Sequence, residues 1–112
     1  MCLFCDIVAK KIPAEIVYED RDVVAFKDIN PQASVHVLLV PKIHMDTIRE
    51  ISEENSHLIF KVHEAAKEVA KRLGIYNKGY RLIVNCGEDA GQTVMHVHYH
   101  LLGGEKLGEK IV

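Results

Sequence analysis

His96-Val97-His98-Tyr99-His100-Leu101-Leu102 reads as an extended strand with two unlike faces. Side chains alternate across a pleat, so histidines at every second position share one side. Val97, Tyr99 and Leu101 turn to the other. Such a strand needs a core behind it and a site in front of it. The stretch before it, Gly87-Glu88-Asp89-Ala90-Gly91-Gln92-Thr93, is polar and carries two glycines. Glycines let backbone N–H groups approach an anion closely, so this segment fits a phosphate. Two chemistries compete for the histidines: three metal ligands, or one catalytic histidine with supporting neighbours.

Spacing weighs against a single ion. Three histidines and an open position would make a zinc hydrolase. Alternate residues, however, spread the row over about 13 Å. An ion with nitrogen bonds of about 2.1 Å cannot easily reach all three. The nucleophile reading fits the preceding loop better. A neutral imidazole can attack phosphorus and split one hard step into two, provided its second nitrogen holds the proton. A backbone carbonyl or a neighbouring histidine would fix that tautomer. A hydrogen-bonded histidine ladder without chemistry is the bland alternative, and the glycine segment argues against it.

The remaining elements follow from periodicity. Residues 3 to 11 form a short amphipathic helix, with Leu3, Phe4, Ile7 and Val8 on one stripe and Pro13 ending it. Ile16-Val17-Tyr18 and Val23-Val24-Ala25-Phe26 make a hairpin. Val35-His36-Val37-Leu38-Leu39-Val40 is nearly continuous in apolar residues, which predicts a central strand covered on both faces. Its His36, taken alone, reads as a hydrogen-bonded core histidine. A short helical turn falls around Thr47 to Glu50. Ser52 then caps a long helix, with Glu53 and Glu54 at its positive end. Leu58, Val62, Ala65, Ala66, Val69 and Leu73 form its buried face, Glu68 pairs with Arg72, and Gly74 stops it. His57 and His63 lie off that stripe, on the solvated side. Tyr80-Arg81-Leu82-Ile83-Val84 is the next strand. The order ββ, β, long helix, ββ predicts an α+β fold: a mostly antiparallel five-stranded sheet with one long helix and a short N-terminal one.

With 112 residues the chain fits one domain, residues 1–112, in which 105–112 form a short charged tail. A net charge of −2 without a basic cluster excludes a nucleic-acid surface. No apolar window is long enough for a bilayer, and no signal peptide is visible, so a cytoplasmic protein without membrane attachment is expected. There Cys2 and Cys5, spaced C-x-x-C, are more readily a metal or redox pair than a disulfide. A thioredoxin-type motif would follow a strand, and none can precede residue 2, so half a zinc site is the better reading.

Residues 96–102 resemble the His-x-His-x-His-x-x motif of the histidine triad (HIT) superfamily. The resemblance extends to Asp28-Ile29-Asn30-Pro31-Gln32-Ala33 through His36, Pro41-Lys42-Ile43-His44, Asn77-Lys78-Gly79-Tyr80-Arg81, Asn85, and residues 87–104. These segments, with their spacings, look like the Hint branch, the purine nucleoside phosphoramidases. The resemblance covers residues 3 to 104.

It implies a HIT-like fold and a hydrolase that cleaves the P–N bond of purine nucleoside 5′-phosphoramidates or acyl-nucleotides through a nucleotidyl-histidine. His98 would be the nucleophile, supported by His100 and His36. Gly91, Gln92 and Thr93 would position the phosphate and leaving group, and Asn85 a neighbouring oxygen. Thr93 stands where the family more often has serine. Asp28 would bind the ribose hydroxyls, while Phe4, Ile7, Phe26 and Ile29 form a slot for the base. As in similar bacterial members, Cys2, Cys5, His44 and His96 would hold a structural zinc, and catalysis needs no other cofactor. The resemblance also implies a homodimer with Tyr80 to Val84 and the long helix at its interface. Dinucleoside polyphosphate hydrolysis, or nucleotide binding by a zinc-stabilised module without catalysis, are the alternatives.

Overall fold

Five strands form one sheet in the computed structural model, which describes residues 2–110. In chain order they are β1 (Ile16–Glu19), β2 (Val23–Lys27), β3 (Val35–Pro41), β4 (Tyr80–Val84) and β5 (Tyr99–Gly103). Their spatial order is β1-β2-β3-β5-β4, and every neighbouring pair is antiparallel. The last strand inserts between β3 and β4, so the histidine-bearing segment runs into the middle of the sheet. Helix α1 (Leu3–Val8) and helix α2 (Ser56–Arg72) complete the α+β fold.

The alternation read from the sequence sorts the core into two layers. Val37 and Leu39 of β3, with Val97, Tyr99 and Leu101, pack against Leu58, Val62, Ala65, Ala66 and Val69 of α2. The other parity, Leu38 and Val40 with Val24 and Phe26, packs against Phe4 and Ile7 of α1. Strand β3 is therefore covered on both faces. Leu39 and Leu101 are wholly buried, and truncating either to alanine would cost about 2–5 kcal/mol.

Several local expectations are corrected. Helix α1 ends at Val8 rather than near residue 11, because Lys10 takes a left-handed φ of 62° and the N–H groups of Lys11 and Ile12 turn back to the Asp6 carbonyl. Ser52 does not cap α2. The helix starts at Ser56 with Asn55 at its N-cap, and the Asn55 amide closes the preceding turn instead. That amide accepts from Ser52 N–H at 2.8 Å and donates to the Glu50 carbonyl at 2.9 Å, so no side chain caps the helix. Glu53 and Glu54 consequently precede the first turn. Glu68 pairs with Lys71 at 3.3 Å, one residue short of Arg72. Arg72 instead donates to the Val17 carbonyl at 3.0 Å and lies over the Tyr18 ring, fastening the helix to β1. Gly74 stops the helix as expected, at φ 74°.

His57 and His63 are exposed, and the His63 ring meets Tyr99 edge-on at 5.4 Å on the α2 face. Residues 104–110 have no regular structure, and Arg81 donates to the Gly108 carbonyl at 2.6 Å; residues 111–112 of the expected tail lie outside the described residues. No helix among the described residues is long and apolar enough to cross a membrane.

Candidate functional site

Regular pairing begins only at Tyr99, so His96, in a bend whose N–H donates to the Val94 carbonyl at 2.9 Å, and His98 stand on unpaired backbone ahead of β5. The Val97 N–H is anchored by the Met45 carbonyl at 2.8 Å, which keeps the alternation going without a partner strand. All three imidazoles face the α1 side. The edge of Phe4 meets His98 at 4.9 Å and His96 at 6.2 Å, and His98 meets His100 at 5.3 Å between ring centroids.

The hydrogen bonds decide the tautomers. Nδ1 of His98 lies 2.7 Å from the backbone carbonyl of His96. A carbonyl only accepts, so Nδ1 carries the proton, and the Nε2 lone pair of the neutral ring is left free. His36 sits on β3 opposite Leu102, which places it diagonally across from His100. Its Nδ1 accepts from the Gln32 N–H at 3.0 Å, so its proton resides on Nε2. That N–H donates to Nδ1 of His100 at 2.9 Å, which places the His100 proton on Nε2. The chain from Gln32 through His36 thus leaves His100 an Nε2–H donor, on a ring whose centroid is 5.3 Å from that of His98. Burial lowers the pKa of His36 against the pull of Asp28, and burial with the neighbouring His98 and His36 lowers that of His100. Both rings are thereby held neutral.

Asp28, His36 and His100 also bring potential metal ligands together. The Gln32 N–H argues against that use, because a ring protonated at Nε2 donates there rather than ligating. Asp28 Oδ2 lies 3.4 Å from that same Nε2, and Asp28 Oδ1 accepts from the Asn30 N–H at 2.8 Å.

A second cluster has the opposite character. Cys2, Cys5, His44 and His96 converge from α1, from the loop after β3 and from the histidine segment. Cys2 Sγ is 3.3 Å from His96 Nδ1, Cys5 Sγ is 3.2 Å from His44 Nδ1, and the two Nδ1 atoms are 3.1 Å apart. A tetrahedral zinc with bonds of about 2.3 Å to sulfur and about 2.0 Å to nitrogen sets its ligands roughly 3.3–3.8 Å apart, close to these separations. The outer nitrogens are engaged: His96 Nε2 donates to the Pro41 carbonyl at 2.8 Å, and His44 Nε2 faces Asp46 Oδ1 at 2.6 Å. Both Nδ1 atoms therefore present lone pairs to one another and to two thiols. A cation satisfies that donor set, so these four residues can hold a metal. An open cleft of about 620 Å³ borders the cluster at His44 and Asp46 and reaches Thr93.

The other expected nucleotide contacts are less uniform. Phe4, Ile7 and Phe26 are 5%, 7% and 4% exposed, a packed floor under α1, whereas Ile29 is fully exposed next to Asp28. Gly91 takes a left-handed φ of 83°, Thr93 is exposed, and Asn85 is half-buried just beyond β4. The Gln92 side chain points into the fold. Its Oε1 accepts from Gly87 N–H at 2.9 Å, and its Nε2 donates to the carbonyls of Asp46 at 2.7 Å and Val94 at 3.1 Å. It braces the glycine segment against the loop that carries His44 and Asp46, and the Gln92 N–H donates to the Gly87 carbonyl at 3.1 Å, so neither the side chain nor the backbone N–H of Gln92 is left to meet a phosphate. Sequence reasoning missed Asp46, for which the His44-x-Asp46 spacing was the available signal, and the Gln32 N–H, for which a backbone donor leaves none.

The family model for the HIT domain matches residues 9–107. The chain is 42% identical over 106 residues to the purine nucleoside phosphoramidase of Escherichia coli, covering 95% of this chain and 89% of that one. It is 44% identical over 102 residues to Protein HitA of Neisseria gonorrhoeae, covering 91% and 94% of the two chains. Among solved structures, the HIT family hydrolase from Clostridium thermocellum superposes with a TM-score of 0.96 at 55% identity, covering 99% of this chain and 96% of that one. The protein belongs to the HIT domain family.

Proposed function

We propose that this protein hydrolyses purine nucleoside 5′-phosphoramidates or acyl-nucleotides through a nucleotidyl-histidine formed on His98. The supporting observation is the pair of fixed tautomers: a bare Nε2 on His98 and an Nε2–H on His100, with ring centroids 5.3 Å apart. Likeness to a relative named as a purine nucleoside phosphoramidase selects the substrate class.

In this reading His98 Nε2 attacks the α-phosphorus, the P–N bond breaks, and the amine leaves with a proton taken from solvent, which the water of the second step returns. The Nε2–H of His100 steadies a non-bridging phosphoryl oxygen, whose negative charge grows as the nucleophile arrives. Water then displaces the imidazole, breaking the new P–N bond, and nucleoside monophosphate leaves with His98 regenerated. Thr93 and Asn85 position the phosphate and leaving group, while Gly91 shapes the turn beside them and Gln92 braces it from within. Asp28 takes the ribose hydroxyls, and Ile29 closes over a base resting on Phe4, Ile7 and Phe26. His36 acts through His100.

The metal in the tetrad is zinc, held by Cys2, Cys5, His44 and His96. Two thiolates and two imidazoles leave no open position, the composition of a structural centre. It ties α1 and the loop after β3 to the histidine segment. The protein works in the cytoplasm as a homodimer paired through β4 and α2. Support for that surface comes from β4, an edge strand whose residues all stay half-buried, and from Phe60 and Tyr76, 60% and 42% exposed.

The test is a His98→Asn variant incubated with an adenosine 5′-phosphoramidate. Turnover should fall by orders of magnitude while nucleoside monophosphate still binds, and acid quench of the wild type should trap nucleotidyl-protein. Retained turnover in the variant would refute the assignment. Faster cleavage of a diadenosine polyphosphate than of the phosphoramidate would move the substrate class.

A further inference from the structure

We propose that Asp46 is a positioning residue of the metal centre, holding His44 as a ligand through its outer nitrogen; this rests on the metal reading of the tetrad. The two histidines of the tetrad are oriented by different means. His96 is wholly buried and hands its Nε2–H to a backbone carbonyl, that of Pro41. His44 is exposed and belongs to no strand or helix, and no backbone carbonyl among the described residues takes its outer nitrogen. Asp46 Oδ1, 2.6 Å from His44 Nε2, takes the place that the Pro41 carbonyl fills for His96. It keeps the proton on Nε2 and aims Nδ1 at Cys5 Sγ, 3.2 Å away. The two imidazole planes then stand at 84°, with centroids 4.7 Å apart, so their Nδ1 atoms meet at one point.

Asp46 is itself held from both ends. Its N–H donates to the Glu50 carboxylate, which also receives the Thr47 N–H in a capping box around residues 47–50. Its carbonyl accepts from the buried Gln92 amide at 2.7 Å. A carboxylate two residues beyond a flexible ligand would ordinarily be one rotamer among several; here its backbone is clamped, so its side chain starts from a fixed base. Charge favours the arrangement as well. Two thiolates and a divalent cation sum to zero, and an outer carboxylate makes the coordinated imidazole a stronger donor.

Partners of this kind are worth about 10–100-fold in metal affinity. The Asp46 and His44 side chains are 61% and 39% exposed, so water competes for the contact and the effect belongs at the lower end. Zinc affinity should be measured by competition against a chromophoric chelator, for wild type, Asp46→Ala, Asp46→Asn and the control Glu54→Ala. Asp46→Ala should bind zinc about tenfold more weakly, and Asp46→Asn, which keeps an acceptor without the charge, should fall between it and wild type. Cobalt substitution should still give a tetrahedral thiolate spectrum in each, since no ligand is lost, and Glu54→Ala should match wild type. Should Asp46→Ala fail to fold, the near-isosteric Asp46→Asn carries the comparison. Wild-type affinity in the Asp46 variants overturns the inference and leaves the metal reading standing. Wild-type protein that takes up no zinc overturns the metal reading and this inference with it.

Discussion

His98 is oriented by the backbone of His96: its Nδ1 lies 2.7 Å from the His96 carbonyl, and the His96 side chain belongs to the metal tetrad. One residue thus faces two ways, its imidazole to Cys2 and its carbonyl to the proposed nucleophile. Because β5 starts only at Tyr99, no strand pairing fixes that carbonyl. The tetrad and the Val97 N–H bond to Met45 hold it instead.

Removing the proposed zinc should therefore slow the enzyme although no reaction step uses it. A loosened carbonyl lets the His98 ring turn and its proton move to Nε2, which removes the attacking lone pair. Dialysis against a strong chelator should lower kcat by about tenfold or more, and zinc should restore it. Circular dichroism would check that the sheet survives. Unchanged turnover in metal-free protein would show that the His96 carbonyl keeps its place without help.

His36 should matter through His100 alone. Replacing it with alanine removes the donor to His100 Nδ1 and frees that ring to place its proton on either nitrogen. A net hydrogen bond of about 1 kcal/mol corresponds to roughly fivefold in rate, so kcat should fall by about that factor with KM little changed. A larger loss carried mainly by KM would instead place His36 in direct contact with the substrate. Assays of His36→Ala over a range of phosphoramidate concentrations separate the two.

The sheet and its two-sided core were legible because alternation is a local property: parity alone assigned Val97, Tyr99 and Leu101 to one layer and the histidines to the other. The metal tetrad could not be read that way. Residues 2, 5, 44 and 96 meet only because α1 lies across the sheet face that carries His96, and only a resemblance joined them beforehand. The departures have two causes. Ser52 and Glu68 lost their expected roles to local competitors three residues on, the Asn55 amide and Lys71, whereas the Asp46 carbonyl that takes the Gln92 amide is supplied by the fold. Lys10 in the left-handed region had no signal at all, since a lysine there is dictated by the turn after α1 rather than by its own preference.

Acid should destabilise the protein earlier than its carboxylates would. Burial holds His36 and His100 below their ordinary value of 6.5 in the folded chain. Between the folded and unfolded pKa values the unfolded chain carries more protons, so stability falls as pH falls. The contribution is complete above 6.5 and is lost progressively as pH drops through 6.5 towards the lower folded values. Urea unfolding at about pH 7.5 and about pH 5.5 should give a lower midpoint at the acid end, above the range where Asp and Glu protonate. A His36→Asn, His100→Asn double variant should show a flatter profile. Equal slopes in the two proteins would assign the acid sensitivity elsewhere.

Two glycines of the segment before the histidines should respond unequally to alanine. Gly87 combines φ 86° with ψ 177°, a region closed to side-chain-bearing residues, and a Cβ there would stand 2.9 Å from Nη2 of Arg49. Gly91 has φ 83° and ψ 23°, the ordinary left-handed well, with open space around the added carbon. Gly91→Ala should cost about 1–2 kcal/mol, the usual charge for a side chain in that well. Gly87→Ala should cost more, about 3 kcal/mol, because the backbone region itself is strained and the Arg49 guanidinium must move. Denaturant midpoints of the two variants decide the order. A Gly87→Ala protein as stable as Gly91→Ala would mean that the loop can rotate out of this conformation at little cost.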